Sequence, residues 1–206
     1  DTGDGSLWLK VDGEITGAPL LRAAAAAREA SLWTRWLPLC SVAEVVAPLG
    51  LMEQLLWVQF DLPMLKRGSL LHWTFADCSL ERQSFLLLAA SVDEDSLESG
   101  GAARPAAAHG VPSADFRAVK VLVAPISATR ARVRFVMNVD LGKSVPQTIL
   151  DVLTKKMATG LAALQREARR DGESGEPLQP KIDGDPAFYG AVRSLLQNYF
   201  DLYGES

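Results

Sequence analysis

VRFVMNVDLGKSVPQTILDVLTKKMATGLAALQREARR, Val133 to Arg170, changes its period partway along. Up to Asp140, Val133, Phe135, Met137 and Val139 alternate with Arg132, Arg134 and Asn138, the pattern of a strand with one buried face. From Val145 to Arg170, Ile149, Leu153, Met157, Leu161, Leu164 and Ala168 recur at three- or four-residue steps. Lys155, Lys156, Thr159, Arg166, Arg169 and Arg170 fall on the other side, so this is a helix with one apolar stripe. Pro146 suits the first helical turn, and Arg166, Arg169 and Arg170 suit the negative end of the helix dipole. A strand with one apolar face followed by a helix with one apolar stripe implies a sheet covered by that helix.

Further period-two runs lie upstream. Leu7 to Ile15 sets Leu7, Leu9 and Val11 against Trp8, Lys10 and Asp12. Val42 to Ala47, Gln54 to Leu62, Ser69 to Ser79, Gln83 to Val92, Phe116 to Ala124 and Arg130 to Asp140 are six more strand-compatible runs. The breaks between them are Pro48-Leu49-Gly50, Pro63 to Gly68, Leu80-Glu81-Arg82, and Pro125 to Thr129. Between the first strand and the rest, the alanine-rich Pro19 to Glu29 and the run from Ser31 to Trp36 predict two short helices. Asp93 to Ser113 is acidic, then rich in glycine and alanine, and is expected to be a long loop. The expected class is α+β: an antiparallel seven-stranded sheet, two short helices after the first strand, and a long helix as cover. Residues 171–185 read as a linker to a last amphipathic helix, 186–206, with Phe188, Val192, Leu195, Tyr199 and Tyr203 along one side.

Composition narrows the partners. At 206 residues, 48% of them apolar, the chain can bury one sizeable core, and a net charge of −4 offers no global basic field for nucleic acid. No apolar run reaches the ~18 residues of a membrane span, and the N-terminus lacks a signal segment. Beginning at Asp1, the stretch is expected to be part of a longer chain with other domains. Two cysteines, Cys40 and Cys78, make no disulfide framework or zinc spacing and fit a cytoplasmic setting.

Four segments carry a further resemblance: LWLKVDGEI with the alanine helix behind it, LWTRWLPLCSVAEVV, FDLPMLKRGSL, and VRFVMNVDLGKSVPQTILDVLTKKM. Over about Leu7 to Arg170 the chain resembles StAR-related lipid transfer (START) domains. That resemblance implies the helix-grip fold, a curved seven-stranded sheet wrapped around a C-terminal helix with a cavity between, and sets the expected domain at residues 1–170. Many such domains carry Arg-Asp where this sequence has Arg67-Gly68. The buried acid and arginine that some place in the cavity map near Gln54 and Trp73. Less charge and more aromatic surface are expected in this cavity.

Alternation alone assigns Leu56, Val58, Phe60, Leu71, Trp73, Phe75, Val121, Val133, Phe135 and Met137 to the inner face, and the helix adds Ile149, Leu153, Met157 and Leu161. By pattern such side chains interlock as in any α+β core. The resemblance instead implies that they line a chamber and contact a lipid ligand, a phospholipid, sterol or fatty acid. Trp33 and Trp36 read as core anchors.

Groups able to attack or to move protons are sparse. His72 and His109 are the histidines, and nothing in the spacing ties His72 to Cys40 or Cys78. Asp93, Glu94, Asp95 and Glu98 lack the spacing of a calcium loop, and Gly3-Asp4-Gly5 is no phosphate cradle. No metal, cofactor or catalytic residue is expected. Gln54 and Arg117 are the candidate polar groups of the chamber, and Arg130, Arg132 and Arg134 read as a solvated outer face. The expected function is to bind one apolar molecule and carry or sense it during transient association with membranes. The alternatives are a cyclase- or hydrolase-like helix-grip enzyme, or an interaction domain with a filled core.

Overall fold

The computed structural model describes residues 6–93, 108–142, 147–170 and 178–204. Seven strands form one antiparallel sheet: β1 (Ser6–Thr16), β2 (Cys40–Pro48), β3 (Glu53–Leu62), β4 (Leu65–Cys78), β5 (Ser84–Ser91), β6 (Asp115–Ser127) and β7 (Arg130–Asp140). Their spatial order is β1-β7-β6-β5-β4-β3-β2. From β2 to β7 each strand pairs with the next in sequence, and β1 pairs with β7, Leu9 opposite Met137 and Val11 opposite Phe135. The chain must therefore cross from one sheet edge to the other straight after β1. It does so through α1 (Leu20–Arg28), a 3-10 turn (Ala30–Leu32) and α2 (Trp33–Trp36), as the sequence led one to expect. Register breaks in β2 and β6 add the extra residues that bend a sheet and sharpen its twist.

The long helix α4 (Gln147–Arg169) packs against β1, α1 and α2, bridging the sheet edges; the short α3 (Ser79–Arg82) turns β4 into β5. Pro146 lies outside the described residues. Ala25 and Ala26 of α1 are fully buried, and side chains of one methyl let the helices approach closely. Arg22 of α1 donates through Nε to the carbonyl of Ala168 (2.8 Å), satisfying an orphan acceptor at the end of α4.

Two boundaries differ from the sequence reading. β4 begins at Leu65, so Pro63 and Met64 alone form the turn, with Met64 at φ 61°, and Arg67-Gly68 lies within the strand. The segment 171–185, expected to be a bare linker, contains α5 (Leu178–Gly184), whose Leu178 and Ile182 are buried. The last helix, α6 (Pro186–Tyr203), is capped by Asp185, whose carboxylate accepts from the Phe188 amide at 3.1 Å. With α1, α5 and the end of α4 it builds a second apolar core around Leu32, Leu178, Phe188 and Tyr189.

Candidate functional site

The concave face of the sheet and the apolar stripe of α4 do not meet everywhere. A cavity of about 240 Å³ remains between them. That is far more than the ~10–15 Å³ needed to hold one water, so it is no packing defect, and it lies just under the ~300–1,000 Å³ of small-molecule pockets.

Phe60, Leu71, Trp73, Phe75, Val121, Val133, Phe135 and Met137 line it from the sheet, and Leu153, Met157 and Leu161 from α4. Leu56 and Val58 share the inner face but are wholly buried in the core cluster with Trp33 and Cys40, off the cavity wall. Ile149, near the start of α4, is also off the wall and only half-buried.

Several wall residues lay outside the sequence reading. Trp33 and Trp36 are anchored by indole N–H bonds to the carbonyls of Ala27 and Ala26 (both 2.9 Å), yet both also border the cavity. They read from the sequence as core anchors, which did not say that they would also meet the cavity. Phe188, Val192, Leu195 and Leu196 bring α6 into the wall. The α6 stripe was visible in the sequence, its target was not. Among the described residues Arg67 is the one charged residue of the wall, put there by the longer β4.

Arg117 lies on the outer face instead of beside the inner valines. The bulge between Phe116 and Ala118 turns Phe116 inward and Arg117 outward, where its guanidinium meets Asp140 at 3.1 Å and Asp115 at 3.6 Å. Gln54 is buried but spends its amide on the carbonyl of Arg28 (3.1 Å) at the end of α1. The outer arginines pair across β1: Arg134 with Asp12 at 2.6 Å, Arg130 with Glu14 at 3.4 Å, and Arg132 with Glu14 at 3.9 Å. Hydrogen bonds from Arg134 and Lys10 hold the Asp12 carboxyl below its usual range.

His72 sits on the outer face, 3.1 Å from Glu53, while Cys40 is in the core, where burial pushes its thiol up to about 12. The two are on opposite faces of the sheet. Glu94, Asp95, Glu98 and the Gly3-Gly5 segment lie outside the described residues. Among the described residues no cluster of His, Cys, Asp or Glu could hold a metal, and no helix is long and apolar enough to cross a membrane. What this site can do is enclose an apolar molecule, at about 25 cal/mol per Å² of apolar surface removed from water.

No protein-family profile matches the chain, and no curated protein does. Solved structures do. Human StAR-related lipid transfer protein 5 matches with a TM-score of 0.63 at 14% identity, over 79% of this chain and 75% of that one. A STAR-related lipid transfer protein fragment from Xanthomonas axonopodis gives 0.58 at 16% identity, over 81% and 95%. The aromatase/cyclase Zhui from a Streptomyces species gives 0.54 at 11% identity, over 84% and 99%. At such identities the likeness establishes the fold, and the chain has the helix-grip fold that the sequence resemblance implied.

Proposed function

We propose that this protein binds one lipid or other apolar molecule in its internal cavity and carries or senses it at membranes. The observation that carries this reading is the apolar space between sheet and α4. A core evolved only for stability would be filled, because an empty apolar volume costs roughly 24 cal/mol per Å³. The names of the lipid-transfer neighbours support the same reading. The fourteen inner-face residues assigned from sequence, Leu56, Val58 and Ile149 among them, are proposed as the ligand-contacting set, the three off the wall acting as its backing. In this reading α4 is the lid: it must yield for a ligand to enter, and the transient partner is a membrane surface. The setting consistent with two free cysteines is cytoplasmic.

The likeness to an aromatase/cyclase keeps an enzymatic reading in view. Proton transfer needs a group of suitable pKa in the chamber, and the charged residue of this wall is a guanidinium. Binding without chemistry fits better.

Native mass spectrometry of the purified protein, followed by extraction of what co-purifies, tests the reading. A stoichiometric lipid is expected, together with transfer of a fluorescent lipid between vesicles. No adduct, no binding across a lipid panel and no transfer would leave the interaction-domain alternative.

A further inference from the structure

Arg67 occupies a chemically odd position. It stands on the inner face of β4 opposite Phe60, borders the cavity, and is 6% exposed. Its Nε donates to the carbonyl of Leu141 at 2.8 Å and its Nη1 to that of Lys66 at 2.9 Å. Of the five N–H groups of a guanidinium, three are left. No carboxylate pairs with Arg67 among the described residues. The acids nearest in the strand registers face outward and are engaged there, Asp61 with Lys66 at 3.7 Å and Asp140 with Arg117 at 3.1 Å. Nor can an acid stand at the next position. A Cβ on Gly68 would lie 2.3 Å from Cζ2 of Trp57, so only glycine fits beneath that ring. The neighbouring hydroxyls of Ser69 and Ser91 bond each other at 2.7 Å, and Ser91 also accepts from the Phe116 amide.

A guanidinium does not shed its proton, so this cavity keeps a positive charge at one end. A buried charge without a counter-charge is costly, and an anion entering the cavity would relieve that cost where water cannot screen the attraction. The two carbonyls fix the plane of the group, and the remaining N–H donors suffice for a bidentate contact. The rest of the wall is aliphatic and aromatic, running to Val123, Leu195 and Leu196 at the far end.

We infer that the ligand is an amphiphile with an anionic head, carboxylate or phosphomonoester, whose head is received by Arg67 while its apolar part lies along the aromatic wall. This rests on the lipid-binding reading above and names its ligand class. A competing role for Arg67 is purely mechanical, tying β4 to the segment that leads from β7 into α4. A mechanical tie would affect neutral and charged ligands alike.

The test is calorimetric titration of the full chain with dodecanoate, dodecyl phosphate and dodecanol, which share a tail and differ in the head. At least one anion is expected to bind ten-fold or more tighter than the alcohol, and the better of the two names the head. Arg67→Gln should abolish that preference, so that neither anion binds better than dodecanol. Arg67→Lys, which keeps the charge and loses the fork, should retain part of it. If the anions bind no better than dodecanol, or if Arg67→Gln weakens all three equally, the inference is overturned while lipid binding stands. If none of the three binds, lipid binding falls with it. The comparison within the unmodified protein decides the matter even where a variant does not fold.

Discussion

Cys40 opens onto the core beneath β2, where its thiol donates to the Val42 carbonyl at 3.4 Å and burial raises its pKa to about 12. An ordinary thiol loses its proton near ~8.5. Above that pH the unfolded chain sheds a proton that the folded one keeps. Stability from this residue is therefore whole below about pH 8.5 and declines as pH rises toward 12, by at most ~1.4 kcal/mol per pH unit. Urea midpoints at pH 8 and pH 10 should fall less in Cys40→Ala than in the parent; equal falls would refute the assignment. Gly68 carries a second prediction. With its Cβ position 2.3 Å from the Trp57 ring, Gly68→Ala should lose about 1–3 kcal/mol in urea denaturation through overpacking. The neighbouring Arg67 shows what residue-level reading can miss. Pro63 and Gly68 bracket a stretch that reads as a turn, yet the turn is only Pro63-Met64 and the strand resumes before Arg67. Alternation is then strict, and Arg67 shares its face with Leu71, Trp73 and Phe75. Arg117 fails in the opposite sense: its strand was legible, but a bulge exchanged faces at Phe116, and bulges leave little trace in one sequence.

Helix α6 joins packing to the site at the scale of elements. Phe188 is almost wholly buried in the second core, with the Arg28 guanidinium 3.9 Å above its ring, and it also touches the cavity. The Tyr189 hydroxyl donates to Glu29 at 2.6 Å, while that of Tyr199 lies 3.1 Å from the Gln83 carbonyl and 3.2 Å from that of Pro125. These contacts bind α6 to α1 and to the turns at the far end of the sheet. Phe188→Ala should accordingly cost about 3–5 kcal/mol in chemical denaturation, the range for a large aromatic lost from a core. A loss under 1 kcal/mol would mean that α6 is a loosely held appendage. The helix itself could be read from its stripe of Phe188, Val192, Leu195 and Tyr199. Helix α5 could not: it is short, and Pro180 and Gly184 read as breakers, although proline is tolerated in a first turn. Only the burial of Leu178 and Ile182 against α1 and α6 gives so short a helix its reason to form.

For the whole molecule, an antiparallel sheet of seven strands followed from the meander. Hollowness did not. Val133, Phe135, Leu153 and Met157 would be written the same way for an interlocked core, because periodicity tells which side is apolar and not how far apart two apolar surfaces stand. That distance is set by the curvature of the sheet and by where α1 and α2 hold α4 away from it. Gly160 is one such spacer: a Cβ there would approach Pro38 to 3.1 Å, so the helix already rests closely on the segment leading into β2. A hollow core and a filled one answer differently to added volume. In a filled core Met157→Trp would overpack and cost about 1–3 kcal/mol. Here Met157 faces the cavity, and the indole can enter space that is otherwise empty. The variant should keep its melting temperature or raise it, while binding of a fluorescent lipid falls ten-fold or more because the indole occupies the ligand's volume. Thermal unfolding and lipid titration on one preparation separate the cases. A destabilised variant would indicate a filled core, and a stable one that binds lipid unchanged would place the ligand elsewhere than between α4 and the sheet.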